Sequence, residues 1–403
     1  MEISPFRALR YDRTQVEGGA AVATAPPYDV ISPVEHEALV RRSPWNITAL
    51  TLGVPGSSTP GYEDRAAKLE EWIAGGVLQE DAEPGFYAYT IDYVLPLCGA
   101  ETRHRFLGLL ALGKLHAFED GVVLPHEQTF PKVVDDRRRL LEAPRTHLAS
   151  IFLLYSDREQ RVDAILQECS SGEADIEVEA KPGEYHALHR MSDPTAIAEL
   201  RELFLSQRPI IADGHHRYTM GLGYRDGAGS GVPGSNWQLM TFANLFSDGL
   251  SILATHRLVK LEGILGGEAL ERILLHLDEV SGDDWDMRIE SSKGSVAVRF
   301  PEAVKNARSG VSRTSYALLQ DVVLGEWLKG HVREGGVTYF KESTGENEAL
   351  QRGDGDLLFR MPPVGRDEFQ SVVEGRETFP HKTTYFYPKL WSGLACWRLA
   401  DVE

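Results

Sequence analysis

The run IIADGHHRYTM, residues 210–220, constrains the fold more than any other stretch of the chain. Ile210 and Ile211 are apolar and β-branched, which is typical of a buried strand. They lead directly into an acid, a glycine, two histidines and an arginine. Polar residues that start where an apolar strand ends predict a strand, a tight turn and the first turn of a helix. A chain that contains such a unit belongs in a mixed α/β or α+β fold.

The composition limits the classes of protein to which this chain can belong. Its 403 residues, 42% hydrophobic and 25% charged, suffice for two or three domains with sizeable cores. Lysine and arginine total 42 against 60 aspartates and glutamates, which gives a formal charge of −18 at pH 7. Such a charge repels a polyanion at long range, so we predict that nucleic acid is not a partner.

The cysteines and the longest apolar run indicate a cytoplasmic protein. Cys98, Cys169 and Cys396 lie far apart and form no C-x-x-C pair, so neither a disulfide framework nor a thiolate zinc site is expected. The first residues are polar and lack the apolar segment of a signal peptide. The apolar run 106–113 is far shorter than the roughly 20 residues of a membrane helix. We therefore expect a cytoplasmic protein that does not bind a membrane.

Local patterns predict several further elements. Ser32 precedes a proline, and Glu35 follows it by three positions, which predicts a capped helix start. The stretches 85–97 and 102–115 read as two strands of a hairpin that turns through residues 98–100.

The density of reactive side chains changes near residue 262. We place a first region at 1–261, which carries the catalytic or nucleotide-binding residues, and a smaller C-terminal α+β module at 262–403. Because the tail of this module is again rich in functional side chains, we expect the tail to return to the site.

The turn after Ile211 has the chemistry of a phosphate site. A helix N-terminus offers unpaired backbone N–H groups, and Gly214 allows a ligand close approach to them. Arg217 can grip two phosphate oxygens, and His215 or His216 can donate to them. Asp213 can bind Mg²⁺ or accept a hydroxyl proton. The structural alternative is that Asp213 caps the helix and the histidines occupy a polar layer.

A second cluster lies in LPHEQTFPKVVDDRRRLLEAPRTHL, residues 124–148. His126, Glu127 and Lys132 fall on a stretch framed by prolines, so we expect a loop on which these side chains converge. Glu127 is a second candidate metal ligand, and Arg137 is a candidate cofactor-binding residue beyond the loop. The alternative for Arg138 and Arg139, in the same charge run, is a solvated helix face.

Three weaker signals remain. PPYDVIS presents Asp29 on a proline-fixed turn, for which a structural role is equally acceptable. Lys382 and Lys389, in PHKTTYFYPKL, could bind phosphate or carboxylate, or could lie on a surface edge strand. His186 and His189 have the spacing of one helical face, and we interpret them as exposed rather than as metal ligands.

These motifs also resemble a known family. SPFRALRYD, APPYDVIS, HEQTFPK, DDRRRLLEA, ADGHHRY, THRLV and HKTTYFYPKLWSGL occur in the order seen in a widespread bacterial and archaeal family classed as a domain of unknown function. The resemblance spans nearly the whole chain. The D-G-H-H-R run also resembles, more distantly, the phosphate-binding motif of the ParB, sulfiredoxin and free serine kinase superfamily.

The resemblance implies a ParB/sulfiredoxin-like core and a phosphotransferase. Asp213, Gly214, His215, His216 and Arg217 would form the phosphate-handling turn, with ATP or ADP as the nucleotide, Mg²⁺ as the metal, and serine or phosphoserine as the small substrate. His126 and Glu127 would then act from the second loop. Thr219 departs from the family pattern, in which an acid follows R-Y, and His147 and Ala254 depart from it as well.

Two readings from other classes stay open. A nucleotide-binding regulatory switch of the ParB type would use the same turn without phosphorylating a small molecule. A metabolite sensor that has lost catalysis would account for Thr219. A homodimer is an open partner prediction in all three readings.

Overall fold

A computed structural model describes residues 1–55, 61–95, 102–127, 131–292, 294–341 and 345–402, and the side chains of 131–133 lie outside that description. The chain forms two compact units. The first contains Met1–Leu95, Glu101–Leu250 and Pro388–Glu403, and the second contains Ser251–Tyr387.

The first unit is built on an eight-stranded sheet, in the part of the chain that the structure describes. Its strands and those of two small ribbons are β1 (Ile3–Ser4), β2 (Leu9–Tyr11), β3 (Leu78–Glu80), β4 (Phe86–Val94), β5 (Arg103–Lys114), β6 (Thr146–His147), β7 (Ile151–Tyr155), β8 (Ile176–Lys181), β9 (Glu184–Met191), β10 (Ile210–Asp213) and β11 (Trp237–Asn244). The order in the sheet is β10-β7-β11-β5-β4-β9-β8, and β1 pairs with β5. Among the strand pairs that the structure describes in this sheet, β7 and β11 are parallel and the others are antiparallel, so this is a mixed sheet.

Besides the sheet, the first unit contains α-helices. They are α1 (Ala20–Ala23), α2 (Pro33–Arg42), α3 (Thr48–Thr51), α4 (Tyr62–Ala74), α5 (Pro131–Glu142), α6 (Arg161–Cys169), α7 (Pro194–Leu205) and α8 (His215–Asp226). Leu166 of α6, Phe204 of α7 and Tyr218 of α8 share one buried core with alternate residues of the central strands, among them Leu109 and Leu153. Alternation along a strand sends every second side chain to the other face, which leaves Phe152 and Asp213, paired across β7 and β10, on the face opposite that core.

Residues 388–398 form strand pairs and backbone hydrogen bonds with earlier parts of the first unit. Strand β20 (Trp397–Arg398) pairs with β6, so that Trp397 lies opposite His147. Ser392 and Ala25 exchange backbone hydrogen bonds of 2.7 and 3.2 Å. These contacts fix residues 388–398 against strands and loops that are distant in sequence.

The second unit contains a six-stranded antiparallel sheet, in the order β14-β16-β15-β18-β13-β17. The strands of the second unit are β12 (Ser251–Leu253), β13 (Thr255–Leu261), β14 (Asp278–Glu279), β15 (Met287–Ser291), β16 (Gly294–Arg299), β17 (Val332–Lys341), β18 (Leu357–Arg360) and β19 (Tyr385–Tyr387). The helices of this unit are α9 (Gly266–Leu274), α10 (Glu302–Asn306), α11 (Ser315–Ala317), a π-helix (Leu318–Trp327), α12 (Glu346–Arg352) and α13 (Arg366–Glu374). β12 pairs with β19 outside the sheet. None of the helices that the structure describes in either unit combines the length and apolarity needed to cross a bilayer.

The predicted mixed α/β class is confirmed, and so are several local predictions. Ser32 and Glu35 form a reciprocal capping box at the start of α2. The two apolar stretches form the antiparallel strands β4 and β5, while residues 98–100 lie outside the described residues. Asp213 ends a strand, and His215 begins a helix.

Three features differ from the sequence interpretation. The proline-framed stretch is partly helical, since α5 begins at Pro131 and therefore includes Lys132. His186 and His189 lie on strand β9 and are buried, not on an exposed helical face. The two units divide at 250/251 rather than at 261/262, because β12 and β13 pair with strands of the second unit.

Candidate active site

The strand-turn-helix unit leaves a helix N-terminus without a side-chain cap. Gly214 occupies the N-cap position with φ 99° and ψ 27°, and among the described residues α8 has no side-chain cap hydrogen bond. Asp213 therefore does not cap the helix. Positive φ is readily adopted only by glycine, which explains the residue at this turn. The first N–H groups of an α-helix have no partner within the helix, so this end of α8 can receive an anion.

Asp213 forms an ion pair with Lys389 from the returning tail. The Lys389 Nζ lies 3.4 Å from the Asp213 Oδ2, and both side chains are largely buried. Burial alone would raise the pKa of the Asp213 carboxyl, but the positive charges of Lys389 and Arg217 outweigh it and hold the pKa below its usual value. Asp213 is therefore a carboxylate at neutral pH. Its partner is 176 residues away in sequence.

Arg217 is a half-buried cation without a carboxylate partner among the residues that the structure describes. Its Nη1 donates to the Ser150 carbonyl at 2.6 Å, and no described aspartate or glutamate comes within ion-pair distance of its guanidinium. The guanidinium folds back on the turn, since a Cβ at Gly214 would lie 3.0 Å from Nη2. A cation held this way next to a helix N-terminus is arranged to bind a negative group.

The histidines around this turn are neutral and have defined proton positions. The His126 Nδ1 lies 2.6 Å from the Ile211 carbonyl, which can only accept, so His126 carries its proton on Nδ1. The His126 backbone N–H donates to the His215 Nε2 at 3.2 Å, so His215 also carries its proton on Nδ1. Burial lowers the pKa of His126 to about 4, and burial together with His126 lowers that of His215 well below its ordinary value. Neither histidine is a cation at neutral pH.

His216 and Glu127 complete this side of the site. Burial lowers the pKa of His216, while the charges of Glu127 and Asp29 raise it. The Glu127 Oε1 lies 3.9 Å from the His126 Nε2. The structure thus brings the two predicted loop residues, His126 and Glu127, next to the D-G-H-H-R turn.

Two cavities open beside Arg217. One is small, about 10 Å³, and is lined by Asp213, Arg217, Tyr28 and Trp391 among others. The other, about 60 Å³, is lined by Arg217, Tyr28 and Arg137 together with residues of β6 and β11. The Arg137 guanidinium stacks on the Tyr28 ring at 4.3 Å. Arg137 therefore lines the same cavity as Arg217.

The sequence interpretation missed the hydrogen bonds that hold the tail in place. The Trp391 backbone N–H donates to the Tyr89 hydroxyl at 3.1 Å, and that hydroxyl lies 2.6 Å from the His186 Nδ1. The His186 Nε2 lies 3.1 Å from the Glu184 Oε1. This buried chain on β4 and β9 fixes Trp391, two residues after Lys389. The alternation of β9 could have shown that Glu184 and His186 share a face, but not that Trp391 joins them.

The remaining predicted residues are distributed as follows. The Lys132 side chain lies outside the described residues. Lys382 belongs to the second unit, where its carbonyl accepts hydrogen bonds from Thr255 and Arg257. Thr219 lies inside α8, where its Oγ1 is buried without a hydrogen-bond partner.

The donor set allows Mg²⁺ only together with ligands from outside the chain. Among the residues that the structure describes, no three histidine, cysteine or acidic side chains cluster as a metal site. Magnesium commonly uses one or two carboxylates and takes its other ligands from water and substrate phosphates. Asp213 and Glu127, whose charges both act on His216, are the two carboxylates that would meet this smaller requirement.

Comparison with known proteins identifies the family. Residues 3–320 match the family model described as "Protein of unknown function (DUF1015)". The chain belongs to the DUF1015 family. A search of curated proteins gives no match.

Several solved structures are similar to this DUF1015 chain. SbnI with a C-terminal truncation, from Staphylococcus aureus, has 14% identity and a TM-score of 0.40 over 73% of this chain and 87% of that one. Free serine kinase in complex with AMP has 15% identity and a TM-score of 0.36 over 73% and 90%. A conserved hypothetical protein from Pyrococcus furiosus has 13% identity and a TM-score of 0.35 over 73% and 94%.

Proposed function

We propose that this DUF1015 protein is a nucleotide-dependent phosphotransferase that acts on the hydroxyl of a small metabolite of the serine or phosphoserine class. The observation that carries the proposal is Arg217, a cation without a carboxylate partner among the described residues, beside an uncapped helix N-terminus and an ionised Asp213. ATP or ADP is the phosphate donor that such a site would take.

In this proposal one set of groups binds the phosphate and another orients the attacking hydroxyl. The first amides of α8 and the Arg217 guanidinium bind phosphate oxygens, and they are already in position before the reaction. Preorganised donors of this kind stabilise the charge that spreads over the equatorial oxygens during transfer. The neutral His216 can donate a further hydrogen bond.

Asp213 serves chiefly to orient the attacking hydroxyl. The hydroxyl oxygen forms the new bond to phosphorus, the bond to the nucleotide oxygen breaks, and the hydroxyl proton passes to the Asp213 carboxylate. Because the pKa of this carboxyl is lowered, it is a weak base. A loose phosphoryl transition state requires little proton removal, so orientation by the Asp213–Lys389 pair suffices. Mg²⁺, held by Asp213 and Glu127 with the phosphates, would neutralise charge on the leaving group.

Phosphorus NMR tests the proposal directly. Purified protein is incubated with Mg²⁺, with ATP, ADP, CTP or pyrophosphate, and with hydroxyl acceptors that include L-serine. We expect a new phosphomonoester signal that is lost in Asp213→Asn and Arg217→Ala. Phosphoserine supplied with ADP tests the reverse direction, and supplied alone it tests hydrolysis.

The matched control is Arg225→Ala. Arg225 lies on the same helix but pairs with Asp226 and the Leu115 carbonyl, away from the turn. This variant should retain full turnover. Unchanged turnover in Asp213→Asn and Arg217→Ala would refute the mechanism. Nucleotide binding without transfer to any acceptor would instead support the regulatory switch.

A further inference from the structure

The larger cavity beside Arg217 has no role in the mechanism above. It shares Arg217 with the pocket that contains Asp213, but Asp213 does not line it. Its volume of about 60 Å³ gives room for a few water molecules, which need about 10–15 Å³ each. A carboxylate or phosphate group displaces a similar number of waters.

A buried histidine in the cavity wall has one ring nitrogen without a hydrogen bond to any described residue. His147 is 5% exposed and lines the cavity wall. Its Nδ1 lies 2.5 Å from the Gln238 side-chain amide, so this ring nitrogen is already occupied and Nε2 is the ring nitrogen that remains. The Nε2 makes no hydrogen bond with any residue that the structure describes. Burial and the charge of Arg217 lower the pKa of His147 to about 3, so its ring is uncharged at neutral pH.

The charge in the cavity is positive. Its described lining residues include Arg137 and Arg217 but no aspartate or glutamate. Arg137 already pairs with Asp136, so Arg217 supplies the uncompensated charge. Leu140, Leu148 and Met220 form an apolar part of the wall. The walls therefore suit a negative group attached to a small organic body.

We propose that this cavity is a second oxyanion subsite, which binds the carboxylate or phosphate of a small organic reactant between Arg137, Arg217 and the His147 Nε2–H. The role of the bound anion rests on the proposed function. In that reaction the turn at Gly214 binds the phosphate that is transferred, and this cavity would bind another charged group of the nucleotide or of the acceptor. Binding itself can be measured without turnover.

Nitrogen NMR of the full-length chain labelled with ¹⁵N-histidine tests the subsite. His147→Gln assigns the His147 signals. We expect the neutral Nε2–H tautomer in the free protein, and a saturable shift of these signals on titration with inorganic phosphate, with sodium lactate, or with both. A response to lactate alone assigns the cavity to the acceptor's carboxylate, and a response to phosphate alone assigns it to a phosphate group.

Two variants on α5 show whether the anion binds in this cavity rather than at the turn that contains Gly214. Arg137→Met should weaken the affinity about tenfold or more, as loss of a charged hydrogen bond does. Arg139→Met, on the exposed face of α5, should leave the affinity unchanged. Thermal unfolding of both variants shows that they are folded.

Three results would overturn the inference. The first is an NMR spectrum that shows the Nδ1–H tautomer of His147. The second is His147 chemical shifts that do not change on titration with either anion. The third is an anion affinity that is equal in Arg137→Met and wild type. If phosphorus NMR shows no transfer but His147 still responds, the proposed reaction fails and the anion subsite stands.

Discussion

Replacing Gly214 by alanine tests whether the turn is built around Arg217. An alanine at φ 99° costs about 1–2 kcal/mol, because the Cβ crowds the following carbonyl in left-handed backbone. The new Cβ would also lie 3.0 Å from the Arg217 Nη2 and 3.1 Å from the Ile151 Cγ2. The arginine can move, but the strand residue cannot, and overpacking adds about 1–3 kcal/mol. We expect a total loss of about 2–5 kcal/mol.

The matched control for Gly214→Ala lies on the same helix. Gly223 is inside α8 and has open space where a Cβ would be. Gly223→Ala should stabilise the protein by about 0.5–1 kcal/mol, because glycine loses more backbone freedom in a helix than alanine does. Urea unfolding followed by circular dichroism compares the two variants. If Gly214→Ala is as stable as wild type and binds phosphate equally well, the account of the turn is wrong.

Two other predictions concern buried hydrogen-bonding groups. His126 has a folded pKa of about 4 against an ordinary 6.5, so the unfolded chain takes up its proton first. The free energy of unfolding should fall by about 3 kcal/mol as the pH drops from about 6.5 to 4, and His126→Gln should remove this part of the pH dependence in urea titrations. Tyr89→Phe removes the hydroxyl that accepts from Trp391 and contacts His186. This substitution should lower the free energy of unfolding by about 1–3 kcal/mol in the same assay. It should also lower turnover, because the tail that carries Lys389 loses a fixed position. Unchanged stability together with unchanged turnover would contradict the proposed positioning of the tail.

Local chemistry explains what the sequence could predict. The Ser32 capping box and the strand that ends at Asp213 depend on residues only a few positions apart, and the structure contains both. The turn formed by residues 213–217 is predictable for the same reason, because its glycine, its arginine and the start of the helix lie next to one another in the sequence.

Long-range pairing explains what the sequence could not predict. Asp213 meets Lys389, and Trp391 meets Tyr89 across 302 residues, through contacts that leave no local pattern. His186 and His189 could be spaced along either a helix or a strand, and only the pairing of β9 with β4 and β8 decides in favour of the strand. The two units divide at 250/251 for the same reason, since β12 pairs with β19.

Calorimetric titration with ADP tests the central claim most directly, namely that Arg217 and the start of α8 form an anion site. Wild type should bind ADP saturably, and Arg217→Ala should weaken binding about 10- to 100-fold, as expected for loss of a charged hydrogen bond of about 1.5–3 kcal/mol. Arg225→Ala, on the same helix, should bind as wild type does. Equal affinity in Arg217→Ala and wild type would contradict the account.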